Sequence, residues 1–398
     1  MSDEVVYNPF DPAVLVDPYR YYGPLLSGPP RRASGLPAVL IARYADVVAV
    51  ARDHARFSSI LPGGAVPTES DPFFGAPTMP FSDPPVHSRL RRLVARDFGP
   101  RRIATLAPRI REISQQLLDE NLSGGHLEAM SALANQLPVI IIAEMLGVPA
   151  EHRASFRQWS NAVAASAATP PGSPGAAAVR AGVEALREYF TREIERRRAE
   201  PGDDLITALV AAHDNDEALS TNELLAFVVL LLIAGNETTT NLIGNGLLAL
   251  ARNPAEFQRL RREPALIPSA VEEMLRYDSP VQTLMRFATA DTEVAGTAIE
   301  AGAFVLVMFG AANRDPAQFP EPERFDVART PNDHVAFGEG IHFCLGAPLA
   351  RLEGRIAFET IVERFAKLTL TDPAAPLAYR GTFITRGLVE LPLTVATA

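Results

Sequence analysis

Apolar positions along most of this chain recur every three or four residues. In 101–120, Ile103, Leu106, Ile110, Ile113 and Leu117 fall on one helical face, and Gly99-Pro100 separates them from the Arg-rich segment before. A second amphipathic helix covers 180–200 and is stopped by Pro201-Gly202. The longest predicted helix begins near Leu219, where Ser220 and Glu223 have capping-box spacing, and runs to Pro254, roughly 45 Å at the rise of an α-helix. It is apolar almost all round, so it belongs in the interior. Its middle nevertheless reads Ala234-Gly235-Asn236-Glu237-Thr238-Thr239-Thr240. A buried polar group without a partner costs about 1–3 kcal/mol, so this turn either emerges into solvent or faces a buried site. Strand-like stretches are few: Ala38–Ala42, Glu293–Ala295 with Ala298–Glu300, Val305–Met308, and the tail around Leu391–Val395. The pattern predicts a mainly α fold with minor β. Proline-rich stretches at 24–37, 62–85 and 169–174 read as surface loops, within a single domain spanning 1–398.

Charge narrows the function. The 398 residues carry 37 basic and 47 acidic side chains, net −10, which argues against nucleic acid or a polybasic membrane surface as partner. The longest apolar run, Leu224 to Gly235, is twelve residues, short of the roughly 20 that a spanning helix needs. The acidic start lacks the basic and apolar regions of a signal peptide. The expectation is a cytoplasmic monomer without a membrane anchor. All basic residues but Lys367 are arginine, a bias that suggests a GC-rich bacterial genome. One cysteine, Cys344, excludes an intramolecular disulfide and a multi-cysteine zinc site, and leaves a core residue or a working thiolate.

Its surroundings favour the thiolate. In Phe337-Gly338-Glu339-Gly340-Ile341-His342-Phe343-Cys344-Leu345-Gly346-Ala347-Pro348, glycines flank the cysteine and a helix-like run follows. Glycines allow tight turns and close backbone approach, and Pro348 suits a first helical turn. A cysteine at a helix mouth has its thiolate stabilised by free N–H groups and the helix dipole.

Phe337-x-x-Gly340-x-x-x-Cys344-x-Gly346 resembles the haem-binding loop of the cytochrome P450 family, and the order of the other segments resembles that family over nearly the whole chain. The resemblance implies the P450 fold, a helix-rich domain with a small β-rich region, and haem b with Cys344 as its axial iron ligand. Phe337, Gly338 and Gly346 would belong to the haem loop, and Ala234 and Gly235 would also bind the cofactor. Thiolate donation to iron favours O–O cleavage. The turn Ala234-Gly235-Asn236-Glu237-Thr238 matches the family's small–Gly–x–acid–Thr segment. There the resemblance implies a locally opened helix, with Thr238 and Glu237 serving oxygen acceptance and proton delivery; a structural Glu237 tied to an arginine is the alternative. His87 and Arg91, four apart on one helix face, with Arg286 and His342, would meet the haem propionates.

Glu-x-x-Arg occurs six times, starting at Glu184, Glu193, Glu195, Glu256, Glu273 and Glu321. Most such pairs are surface bridges. Glu273, 71 residues before Cys344, has the neighbours of the family's pair, and Glu273, Arg276 and Arg324 are expected to form a buried network. The residues offered to substrate are mainly apolar: Ile60, Phe73, Phe74, Leu231, Val281, Leu284 and Ile384, with Gly63-Gly64 suggesting a mobile entrance. Arginines at 89–92, 96, 101–102, 109, 351 and 355 form either solvated helix faces or a patch that would steer an acidic ferredoxin.

The implied activity is that of a bacterial haem-thiolate monooxygenase. It would insert one oxygen atom of O2 into a lipophilic small molecule, by hydroxylation or epoxidation, with electrons from ferredoxin and ferredoxin reductase. A peroxide-driven peroxygenase is the first alternative, and the Glu237-Thr238 pair argues against it. A non-enzymatic haem protein that binds a diatomic gas is the second.

Overall fold

The computed structural model describes the chain except residues 1–3, 6, 34–35, 63–70, 167–168, 170–171 and 215–216, so Gly63-Gly64 lie outside the described residues. Two compact units emerge. The first comprises Met1–Pro62, Leu106–Asn135 and Thr238–Ala398; the second, Gly63–Thr105 and Gln136–Glu237. Helices used below are α1 (Val86–Ala95), α2 (Ala107–Asn121), α3 (Ala176–Ala199), α4 (Thr221–Arg252), α5 (Ile267–Tyr277) and α6 (Ala347–Arg364). The fold is mainly helical with small sheets, as the periodicity predicts.

α4 is the long helix. Ser220 and Glu223 form the reciprocal capping box: Ser220 N donates to Glu223 Oε2 at 2.8 Å and Glu223 N donates to Ser220 Oγ at 3.2 Å. Among the described residues α4 is the one helix long and apolar enough to cross a membrane, but 56% of its most apolar window is buried inside the protein, as befits a core helix. The helix over 101–120 divides instead into Pro100–Ala104 and α2, with Pro108 in the first turn of α2.

The first unit is organised by a six-stranded sheet. In chain order its strands are β1 (Glu4–Val5), β2 (Arg31–Ala33), β3 (Ala38–Ile41), β4 (Phe57–Ser58), β5 (Leu284–Ala288) and β6 (Phe304–Val307), arranged β1-β2-β3-β6-β5-β4. Side chains alternate between its faces. Val39, Ile41, Val305 and Val307 join Val47, Val50, Phe57, Phe309 and Val335 on one side. Ala38, Leu40 and Leu306 join Tyr7, Val14, Tyr22 and Leu25 on the other. Strand β5 is not evident from periodicity; its pairing with both β6 and β4 holds it extended.

α5 carries the buried ion pair. Arg276 Nε and Nη2 donate to the two Glu273 oxygens at 2.7 and 2.9 Å, and both side chains are 0% exposed. The expected third member needs correction. The Arg324 side chain is 58% exposed and pairs with Glu321 and Asp326; only its backbone carbonyl meets Arg276, at 3.1 Å. Arg329 supplies the second guanidinium, its Nε 3.1 Å from both Glu273 oxygens. The reason is geometric. Arg276 draws the carbonyls of Pro322 and Arg324 onto itself, so this stretch presents backbone to the pair and Arg324 turns outward. Four other Glu-x-x-Arg pairs, at Glu184, Glu193, Glu256 and Glu321, lie at or near the surface.

Two outcomes follow for stability. Arg329→Ala leaves a buried carboxylate undercompensated and should cost about 3–5 kcal/mol in denaturant unfolding, whereas Arg324→Ala should cost under about 1 kcal/mol; equal losses would contradict the assignment. Glu353 on α6 is 1% exposed, its Oε2 has no hydrogen-bond partner among the described residues, and burial pushes its carboxyl from 4.5 up to about 8. The native state therefore keeps a proton that the unfolded chain releases, and stability falls as pH rises from about 4.5 to 8, by about 1.4 kcal/mol per pH unit. Glu353→Gln should remove that slope; parallel pH–stability curves for variant and wild type would contradict it.

Candidate functional site

The cysteine loop is built on the sheet face that carries Val335. Gly338 N donates to Val335 O at 2.9 Å, and Phe343 N to Gly340 O at 3.2 Å. Cys344 N then donates to Phe337 O at 2.9 Å, closing the loop. Gly338 and Gly340 have φ of +73° and +70°, which side chains other than glycine's rarely adopt. A Cβ on Gly340 would also sit 2.9 Å from Ala51 O. α6 starts three residues after Cys344, with Pro348 in its first turn, so the half-buried thiol lies at a helix N-terminus. A Cβ built on Gly346 would lie 3.9 Å from Cys344 Sγ, so this glycine adjoins the sulfur.

Two clamps fix the loop from α5. Glu272, next to Glu273 but about 100° round the helix, takes His334 Nε2 at 3.1 Å and Arg351 Nε and Nη2 at 2.8 Å each. Burial alone would raise its carboxyl, but the His334 and Arg351 bonds hold it down at about 2. Arg351 also lies over the Phe337 ring at 4.5 Å. Asn313 is the second clamp: its backbone O accepts from Arg276 at 2.9 Å and its Oδ1 accepts from Val335 N at 2.8 Å. Periodicity does not single out Glu272, His334 or Asn313. The doubled Glu272-Glu273 is the one sequence signal, since adjacent helical positions face different partners.

Arg286 pairs across the sheet with Val305 and so points to the Val335 face; it is 6% exposed. His342 is half-buried, its Nε2 3.0 Å from Ser59 Oγ, which ties the cysteine loop to the end of β4. Leu284 and Val281 pack against the same apolar cluster. The first unit thus brings Cys344, His342, Arg286, Val281 and Leu284 to one side of its sheet. Ile384 is half-buried and its carbonyl accepts from Gln282 N at 2.7 Å. Ile60, at the end of β4, is 48% exposed.

In α4, residues 224–229 and 239–250 are buried, whereas 233–238 are partly accessible and Ala234 is exposed. The polar turn therefore lies in an accessible stretch between two buried runs of the helix. Thr240 turns away, its Oγ1 donating to Ala134 O at 2.8 Å, while Thr238 stays partly accessible. The helix runs through Ala234–Thr238 without the local opening that the resemblance implies.

The second unit places His87 and Arg91 on one face of α1, His87 2% exposed and Arg91 half-buried. Between them Arg89 binds the Glu223 carboxylate, joining α1 to the start of α4. Gly235 allows a close approach: a Cβ there would lie 2.7 Å from Ile142 Cδ1. Leu231, Phe73 and Phe74 are half-buried.

Comparison with known proteins gives the same reading. The family model for cytochrome P450 matches residues 176–386. The chain is 39% identical over 395 residues to 6-deoxyerythronolide B hydroxylase of Saccharopolyspora erythraea, covering 95% of this chain and 96% of that one. It is 41% identical over 369 residues to mycinamicin IV hydroxylase/epoxidase of Micromonospora griseorubida, covering 90% of each. Its fold is similar to the structure of cytochrome P450 PksS of the Bacillus subtilis bacillaene polyketide synthase, with a TM-score of 0.90, 36% identity, and coverage of 98% of this chain and all of that one. The chain belongs to the cytochrome P450 family, whose cofactor is thiolate-ligated haem b, and is a monooxygenase.

Proposed function

We propose that this chain hydroxylates or epoxidises a lipophilic small molecule with one atom of O2, taking electrons from ferredoxin and ferredoxin reductase. The observation that carries the reading is the cysteine loop: a half-buried thiol at a helix mouth, adjoined by Gly346, in a loop held by three backbone hydrogen bonds. The donor chemistry fits haem. Cys344 would be the iron ligand, framed by Phe337, Gly338 and Gly346. Arg286 and His342, with His87 and Arg91 of the second unit, are cations or donors of the kind that propionates need. When bound, haem supplies the redox chemistry that activates oxygen.

The chain's own residues do the rest. The dipole of α6 stabilises negative charge on the Cys344 sulfur. The Thr238 hydroxyl donates and accepts at the accessible turn of α4, and the Glu237 carboxyl next to it holds and releases a proton. Ala234 and Gly235 keep that turn free of side-chain bulk. Ile60, Phe73, Phe74, Leu231, Val281, Leu284 and Ile384 offer apolar surface that would exclude water around substrate. The relatives named as hydroxylases and a hydroxylase/epoxidase support the reaction class.

An acidic electron donor is supported by exposed Arg92, Arg96, Arg101 and Arg102. Arg351 is withdrawn from that role by its bonds to Glu272. A cytoplasmic, monomeric state completes the proposal.

The test is turnover with 18O2, a ferredoxin system and a panel of lipophilic compounds. One labelled oxygen atom per product molecule is expected, and product retaining only solvent oxygen would overturn the reading. Thr238→Ala and Glu237→Gln should each lower product formation about 10²-fold or more, the range of general-acid contributions, with substrate binding unchanged; full activity in both would remove them from proton delivery.

A further inference from the structure

The segment 281–285 lies between two faces of the sheet and uses both. Val281 and Leu284 pack with the cluster on the Val335 side. Gln282, 5% exposed, goes the other way, into a layer of tyrosines from the N-terminal segment. Tyr22 Oη donates to Gln282 Oε1 at 2.6 Å. Gln282 Nε2 donates to Ser279 O at 2.7 Å and to Tyr19 Oη at 3.3 Å. Tyr19 Oη donates to Asp278 Oδ1 at 2.6 Å, and Asp278 takes both oxygens to Arg386 Nη1 at 2.7 and 2.8 Å. Burial keeps Tyr19 and Tyr22 well above the ordinary tyrosine value, so both hydroxyls remain donors. The slot requires Gly310, because a Cβ there would collide with Gln282 Oε1 and Tyr22 Oη.

The same N-terminal segment holds the facing turn 382–385. Phe10 packs edge-on against Phe383, with ring centroids 5.2 Å apart. Phe383 O accepts from Thr283 Oγ1 at 2.6 Å, and Ile384 O accepts from Gln282 N at 2.7 Å. Arg386 donates to Leu15 O at 2.9 Å and to Val16 O at 2.7 Å. Both segments that offer side chains to substrate, 281–285 and 383–384, are therefore backed by residues 10–22.

We propose that Tyr22, Gln282 and Phe10 are positioning residues for the substrate wall, setting the pose of Val281, Leu284 and Ile384 without touching substrate. The proposal rests on the haem monooxygenase reading above and adds a specificity role for the N-terminal segment. Gln282 carries the effect directly. A one-residue shift of an extended segment exchanges the side chains on its two faces, and the glutamine locked behind the sheet prevents that slip. Large ligands, which must rest on the wall, should feel its loss; a small one should not.

The experiment is azole titration of the haem-loaded full chain, read from the Soret shift, with imidazole as the small probe and 4-phenylimidazole as the large one. Tyr22→Phe leaves Gln282 Oε1 without its donor and should weaken 4-phenylimidazole about five-fold, the worth of one neutral hydrogen bond. Imidazole affinity should stay within about two-fold, and the band of the reduced carbon monoxide complex should not move. Phe10→Ala removes a ring that is 59% exposed, so it tests the same wall without entering the core, and should act in the same direction. A wild type that binds both azoles, with variants that leave both unchanged or weaken both equally, would overturn the positioning role alone. A wild type showing no azole-induced Soret shift would overturn the haem reading, and this inference with it.

Discussion

A carboxylate enclosed completely by protein has to be neutralised from every side, and Glu273 is such a group. It takes Arg276 through two bonds and Arg329 through two more, with Asp326 N at 3.0 Å and Asn332 Nδ2 at 3.3 Å. Arg276 in turn binds the carbonyls of Asn313, Pro322 and Arg324. These demands wrap the irregular stretch 313–332 around one end of α5. A single helix turn thus organises a long loop that has no regular structure of its own. Stability is not the main return, since a buried ion pair roughly offsets its own desolvation. The return is a defined path for the chain as it approaches Cys344.

That path matters because the cysteine loop adjoins it directly. Asn313 joins the ion pair to Val335, and Glu272 joins the same helix to His334, Arg351 and, through Arg351, the Phe337 ring. The loop then hydrogen-bonds to itself and delivers the thiol to the mouth of α6. β5 places Arg286 and Leu284 on the same side of the sheet as Val335. Ion pair, loop and sheet face form one construction.

How much of this is legible in sequence follows from the range of the interactions. The capping box at Ser220 and the length of α4 are local, and the sequence pattern locates both. The cysteine loop is legible because four positions within ten residues carry the fixed pattern Phe, Gly, Cys and Gly. Arg324 is misleading for the opposite reason. The partner expected for it, Glu273, lies 51 residues earlier, and the choice between Arg324 and Arg329 depends on which backbone carbonyls Arg276 captures. β5 escapes because Leu-Met-Arg-Phe-Ala does not alternate; its neighbours hold it extended. The tyrosine layer behind Gln282 escapes too, since Tyr22 and Gln282 are 260 residues apart.

The measurement that bears most directly on this account is the visible spectrum of the reduced protein under carbon monoxide, for wild type and Cys344→Ala. A strongly red-shifted Soret band in the wild type, absent from the variant, is the predicted result and establishes Cys344 as the thiolate ligand. A wild type that takes up no haem, or gives the band of a histidine-ligated haem, would contradict it.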